Sequence, residues 1–236
     1  MSRVFAIADL HLGFSLDKPM EIFGSAWEQH HQKIKEDWIR RVGKDDVVIV
    51  AGDISWGMRL DESLVDLEWI DALPGKKVLV KGNHDFWWQS LSQIQGRFDT
   101  IHFLYNNMYT VEDLAICGTR GWLLPSSEGF RPEDEKIYRR EIMRLERSLL
   151  MAKEMPHIKR KIVAMHYPPL SRFSSDNGFV QLLREHKVQE VVYGHLHDQD
   201  SWNNAIHGRH QGMNFHLVSC DFLDFSLKEI VHVSQR

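Results

Sequence analysis

The chain has 236 residues, 43% hydrophobic and 26% charged, with a formal net charge of −4. That length suits one large α/β domain, residues 1–236, with a full core, and the charge leaves no basic surface to track a phosphate backbone, so no stable nucleic-acid partner is expected. Charges break every apolar run before the roughly 18 residues that a membrane span needs, and the first residues lack the form of a leader, so a cytoplasmic chain with no membrane partner is expected.

In chain order, residues 4–8 read as a buried strand and 26–42 as a helix with Trp27, Ile34, Trp38 and Val42 near one face. Residues 47–51 form the next strand, 61–73 a helix stopped by Pro74-Gly75, 77–80 a third strand and 86–97 a third helix. This alternation predicts parallel strands joined by helical crossovers. Three short β-rich runs follow at 101–105, 108–111 and 114–117, then one long charged helix from Pro132 to about residue 154. A strand at 161–165, a helix at 179–187 and strands at 190–193, 214–219 and 227–233 complete the chain. Cys117 and Cys220, far apart in strand-like runs, read as reduced core residues. The loop around His207 and His210, "NNAIHGRHQGMN", reads as exposed.

Fourteen histidines is the odd number in the composition. Several fall, with carboxylates, just past strand ends. Asp9 and His11 follow the first strand, Gly52-Asp53 the second, and Gly82-Asn83-His84-Asp85 the third. His166 follows the strand at 161–165, and Gly194-His195-Leu196-His197 the strand at 190–193. Ligands of open α/β sheets bind beyond the carboxyl ends of the strands, so all five clusters can meet at one edge. In the Asp9-x-His11 and His195-x-His197 spacings, extended backbone would send both side chains to the same side. Carboxylates, imidazoles and one amide without a thiolate favour Mn²⁺, Fe²⁺ or Zn²⁺. Six or seven ligands exceed one ion's needs. Two divalent ions about 3.5–4 Å apart fit better, the geometry of metal-assisted phosphoryl hydrolysis.

Taken in order over residues 9–197, these motifs resemble the calcineurin-like metallophosphoesterases. The resemblance implies a four-layer αββα sandwich, two mixed β-sheets flanked by helices. It also implies a dinuclear site in which Asp9, His11 and His197 hold one ion, Asn83, His166 and His195 the other, and Asp53 bridges. His84 would stay off the metals and assist the leaving group while a metal-bridging hydroxide attacks the phosphorus of a mono- or diester. The substrate implied is a small-molecule or nucleotide-like phosphate ester. A nuclease of the same fold and a catalytically silent scaffold are the rival readings.

One motif departs from the family's protein phosphatases. They carry G-D-x-x-D-R-G, where the second Asp orients the catalytic histidine, whereas this chain has Trp56 at that position. That speaks against the Ser/Thr protein phosphatase branch and leaves open what holds His84. Asp85, next to it, either supports His84 or caps the following turn. Trp56 and Arg120 are candidates for touching substrate, against the plainer readings of a packed tryptophan and a surface arginine.

Overall fold

The computed structural model describes residues 2–233. The strands, in chain order, are β1 (Ser2–Ile7), β2 (Val47–Ala51), β3 (Lys76–Val80), β4 (Ile101–Leu104), β5 (Met108–Val111), β6 (Leu114–Thr119), β7 (Arg160–Met165), β8 (Glu190–Tyr193), β9 (Gly208–His210), β10 (Met213–Leu217) and β11 (Lys228–Val233). The helices are α1 (His30–Arg41), α2 (Leu60–Asp71), α3 (Leu91–Ile94), α4 (Pro132–Lys153), α5 (Gly178–Glu185) and α6 (Gln199–Asn204).

The first sheet has the order β11-β1-β2-β3-β4, and the second β5-β6-β7-β8-β10-β9. β1 to β4 are mutually parallel and β11 closes that sheet antiparallel to β1. β6, β7, β8 and β10 are parallel, with β5 and β9 antiparallel at the two edges. Both sheets are therefore mixed.

The layering follows from the two-residue period of a strand. In β1, Val4 and Ala6 turn inward, and with Val47, Ile49, Val78 and Val80 they face Leu114, Ile116, Ile162, Ala164 and Val192 of the second sheet. The alternate residues Phe5, Ile7, Val48, Val50 and Leu79 turn outward, against Ile34 and Trp38 of α1 and Leu67 and Ile70 of α2. On the other side, Ala115, Cys117, Val163 and Val191 meet Leu145 and Leu149 of α4 and Phe179, Val180 and Leu183 of α5. Helix, sheet, sheet, helix is the four-layer sandwich expected. Both cysteines are buried and unpaired.

Three local expectations are corrected. Only Leu91–Ile94 of the helix expected at 86–97 is helical. The chain instead spends residues 83–90 in turns, because Asp85 collects backbone N–H groups and Trp87 and Trp88 dive into the core, at 0% and 6% exposure. Residues 26–29 lie outside α1, which starts only after Gln29 takes a left-handed conformation, φ 49°. The stretch 203–214, expected as an exposed loop, takes in the last two residues of α6 and all of β9, and β9 pairs with β10 across the Gln211-Gly212 turn.

Candidate metal centre

Because β1, β2 and β3 run parallel in one sheet and β7, β8 and β10 in the other, their carboxyl ends reach the same edge. There the sheets are stitched together: Ala8 N donates to Val218 O at 2.7 Å, and Cys220 N donates to Ala8 O at 3.0 Å. The candidate ligands from both sheets stand above this seam.

The backbone that aims them is not extended. Asp9, His11, Asp53 and His195 all adopt left-handed conformations, with φ of 60°, 46°, 49° and 74°. An L-residue there costs of order 1–2 kcal/mol, and such residues concentrate at functional sites. The x-spaced pairs thus reach the site by tight turning, rather than by the strand alternation their spacing implied. Small neighbours make room for this crowding. Gly52 has φ 94°, and a Cβ on it would lie 2.5 Å from His166 Nδ1. A side chain at Gly194 would collide with the Asp9 carboxylate.

Two groups of donors result. Asp9, His11 and His197 offer ligand atoms within 4.8 Å of one another, and Asp53, His166 and His195 do the same. Asp53 lies between the groups, its Oδ2 3.5 Å from His166 Nε2 and 3.9 Å from His11 Nε2. Asn83 joins the second group, with Oδ1 2.7 Å from His166 Nε2, and His195 Nδ1 stands 3.2 Å from the same nitrogen.

This chemistry fits divalent cations. His166 Nδ1 lies 3.1 Å from Ala51 O, so it carries the proton and leaves the Nε2 lone pair facing Asn83, His195 and Asp53. His11 Nδ1 is buried and has no hydrogen-bond partner among the described residues. Burial, and next the charge of Asp9, push the Asp53 carboxyl up to about 7. Burial, then His166, pushes His195 down to about 3. Burial alone would raise Asp9, but hydrogen bonding and charge from His197, then the charges of His166 and His11, hold it below the carboxylate range. Buried carboxylates that repel and imidazoles stripped of their protons are both relieved by a cation.

One contributor escaped the sequence reading. Asp221 Oδ2 lies 3.0 Å from His197 Nδ1, the carboxylate–imidazole pairing that fixes a ligand's ring and tautomer. Burial opposes charge on His197, but Asp221 and then Asp9 raise it to about 10. Asp221 sits just past the strand expected at 214–219, so the strand-end rule that found the other clusters would have found it too.

His84 projects into the cleft with its side chain 40% exposed and Nε2 4.0 Å from Asp53 Oδ2. Its backbone N–H donates to Asp53 Oδ1 at 2.8 Å. Asp85 does not hold it. Asp85 Oδ1 accepts from Ile54 N, Ser55 N and Trp87 Nε1, and Oδ2 from Gly82 N. The ring that touches His84 is Trp56, 4.8 Å away between centroids, and Trp56 also stacks on His11 at 4.6 Å and 22°. With Met20, Phe23 and Trp27, Trp56 walls a cavity of about 380 Å³ over His11, Asp53, His84, His195 and His197. Arg120 stands apart, its guanidinium 4.4 Å from the centroid of the Trp122 ring and 3.7 Å from Glu141.

The family profile for calcineurin-like phosphoesterases matches residues 2–199. The chain belongs to this family. Two curated relatives are the Gene 66 proteins of Mycobacterium phages L5 and D29, 36% and 41% identical over 85 residues. Each match spans 36% of this chain and 41% of the relative, so the chain covers less than half the length of these proteins. Among solved structures, a phosphopantetheinyl hydrolase from Mycobacterium tuberculosis is similar at TM-score 0.55 and 16% identity, covering 100% of this chain and 98% of that one. A protein of unknown function from Aquifex aeolicus is similar at TM-score 0.50 and 14% identity, covering 97% and 96%. These two likenesses bear on the fold. Within the calcineurin-like family, the residue at the position of the phosphatases' second Asp is here an indole lying against the histidine.

Proposed function

We propose that the chain is a phosphoesterase dependent on two divalent ions, Mn²⁺, Fe²⁺ or Zn²⁺, that hydrolyses a small-molecule phosphate mono- or diester. The observation that carries this reading is the pair of converging donor groups with one imidazole, His84, left facing the cleft beside them. Asp9, His11 and His197 would hold one ion, Asn83, His166 and His195 the other, with Asp53 shared. When bound, the ions supply positive charge for the phosphoryl oxygens and lower the pKa of water to make a nucleophile.

The chain's own residues do the rest. Asp221 and the Ala51 carbonyl keep His197 and His166 in the orientation that aims Nε2 inward. Burial first, and then His166 and His197, lower the pKa of His84, so near neutral pH it meets the ester as a neutral ring with an N–H to give. That N–H donates to the departing oxygen as charge builds there. Met20, Phe23, Trp27 and Trp56 exclude water from one side and favour an ester whose organic part is apolar or aromatic.

A panel of phosphate monoesters, diesters and cyclic nucleotides, assayed with Mn²⁺, tests this. Aryl esters are expected to turn over with lower KM than glycerol esters. Fewer than two divalent ions per chain after reconstitution, or no hydrolysis of any ester, would overturn it.

A further inference from the structure

A second charged pocket lies past the same strand ends, next to the metal cleft but sharing no lining residue with it; the Arg120 carbonyl accepts from His166 N at 3.1 Å. Lys81, just past β3, and Arg120, just past β6, meet Arg140 and Arg144 of α4 around one carboxylate, Glu141. Glu141 is fully buried, and both its oxygens are already served. Oε1 lies 2.6 Å from Arg144 Nη1, and Oε2 accepts from Thr119 Oγ1 at 2.5 Å. Arg120 Nη2 and Arg140 Nε stand further off, at 3.7 and 3.9 Å from the same Oε1. Three arginines therefore share one anion, and Lys81 beside them feels the charges of Asp85 and Glu141.

The cations are held in place by more than that carboxylate. Arg144 donates to the Tyr105 hydroxyl and covers its ring at 4.6 Å, and Arg120 covers Trp122 at 4.4 Å. The Arg120 and Arg144 side chains are only 17% and 21% exposed, and Arg120 Nε is buried with no hydrogen-bond partner among the described residues. Cations drawn out of water without matching anions are costly, and arginines fixed on aromatic faces present planar forks suited to an oxyanion. The cavity they line is about 140 Å³, well under the roughly 300–1,000 Å³ of a pocket for a drug-sized ligand. We propose that Lys81, Arg120, Arg140 and Arg144 form a binding site for a free, phosphate-sized oxyanion, separate from the metal cleft.

Calorimetric titration of the full, Mn²⁺-loaded chain with inorganic phosphate tests this by comparing wild type with Lys81→Gln/Arg140→Gln. Neither side chain makes a hydrogen bond to the rest of the pocket, so the double variant should keep its melting temperature. Wild type is expected to bind one more phosphate per chain than the variant, or to bind it at least tenfold tighter, with Arg140→Lys like wild type. The readout is this difference, so it stands whether or not the metal centre also takes phosphate. Equal binding by wild type and double variant would overturn the site. If the double variant unfolds, the half-exposed Arg140→Gln alone is expected to weaken binding at least threefold, and no change would likewise sink it. Phenylphosphonate, the same charge on a bulkier stem, should bind this pocket at least tenfold more weakly than phosphate; equal affinity would overturn a free ion as its occupant.

Discussion

The His84 side chain reaches no carboxylate at hydrogen-bond distance, Asp53 Oδ2 being 4.0 Å away, whereas His197 has Asp221 behind it at 3.0 Å. Replacing it with alanine is expected to leave metal content unchanged and lower kcat by about 10²–10⁴, less for esters with good leaving groups. Parallel kcat measurements on a nitrophenyl and an alkyl ester check this, and equal losses on both would refute the leaving-group role. Asp221→Asn should act through metal binding instead. Losing the carboxylate behind His197 is expected to weaken the affinity of one ion by about 10–100-fold, read by competition with a chromogenic chelator. Asp85 belongs to neither class. Its four N–H partners would be left unsatisfied in Asp85→Ala, so a loss of about 3 kcal/mol or more is expected in urea unfolding. Its adjacency to His84 in the sequence could not reveal this, because Ile54 and Ser55 lie about thirty positions away.

Elements show where sequence patterns suffice. The apolar runs of β1, β2, β3, β7 and β8 are so continuous that period and length identify them, and a ligand just past each end then becomes visible. The aromatic run Phe86-Trp87-Trp88 misled, since its spacing also fits a helix face. Only the long-range contacts of Trp87 and Trp88 with Phe103 of β4 show that it is a wedge under the sheet. Likewise β9 is too short and too glycine-rich to be read, and it exists because β10 offers it an edge. α2 ends on a buried cation that pattern reading also passed over. Lys77 Nζ donates to the carbonyls of Asp71, Leu73 and Gly75, at 3.0, 2.5 and 3.0 Å. Lys77→Met keeps the bulk but strands three acceptors and removes a charge favourable at a helix C-terminus. A loss of about 2–4 kcal/mol with unchanged metal content is expected from denaturant unfolding.

For the molecule as a whole, the decisive fact is that the candidate centre belongs to neither sheet. Asp9, His11, Asp53 and Asn83 come from the first, and His166, His195 and His197 from the second. Metal binding should therefore tie the two halves together. Mn²⁺ at a hundred times its Kd is expected to stabilise folding by about 2.7 kcal/mol. Chelation should speed amide exchange at the carboxyl ends of β1, β2 and β8 together, as hydrogen exchange would show, and a change confined to one sheet would contradict a shared centre. Among the described residues no helix is long and apolar enough to cross a membrane. The split also has a consequence in time. A chain emerging from the ribosome as far as β4 already carries four of the seven candidate ligands, but only one of the four imidazoles among them, His11. Such a partial chain can offer a cation little more than stray carboxylates. On the proposed ligand set, loading would wait until His197 has been made and the second sheet has closed against the first, so capture of the ions would serve as a sign that both halves of the sandwich have been assembled.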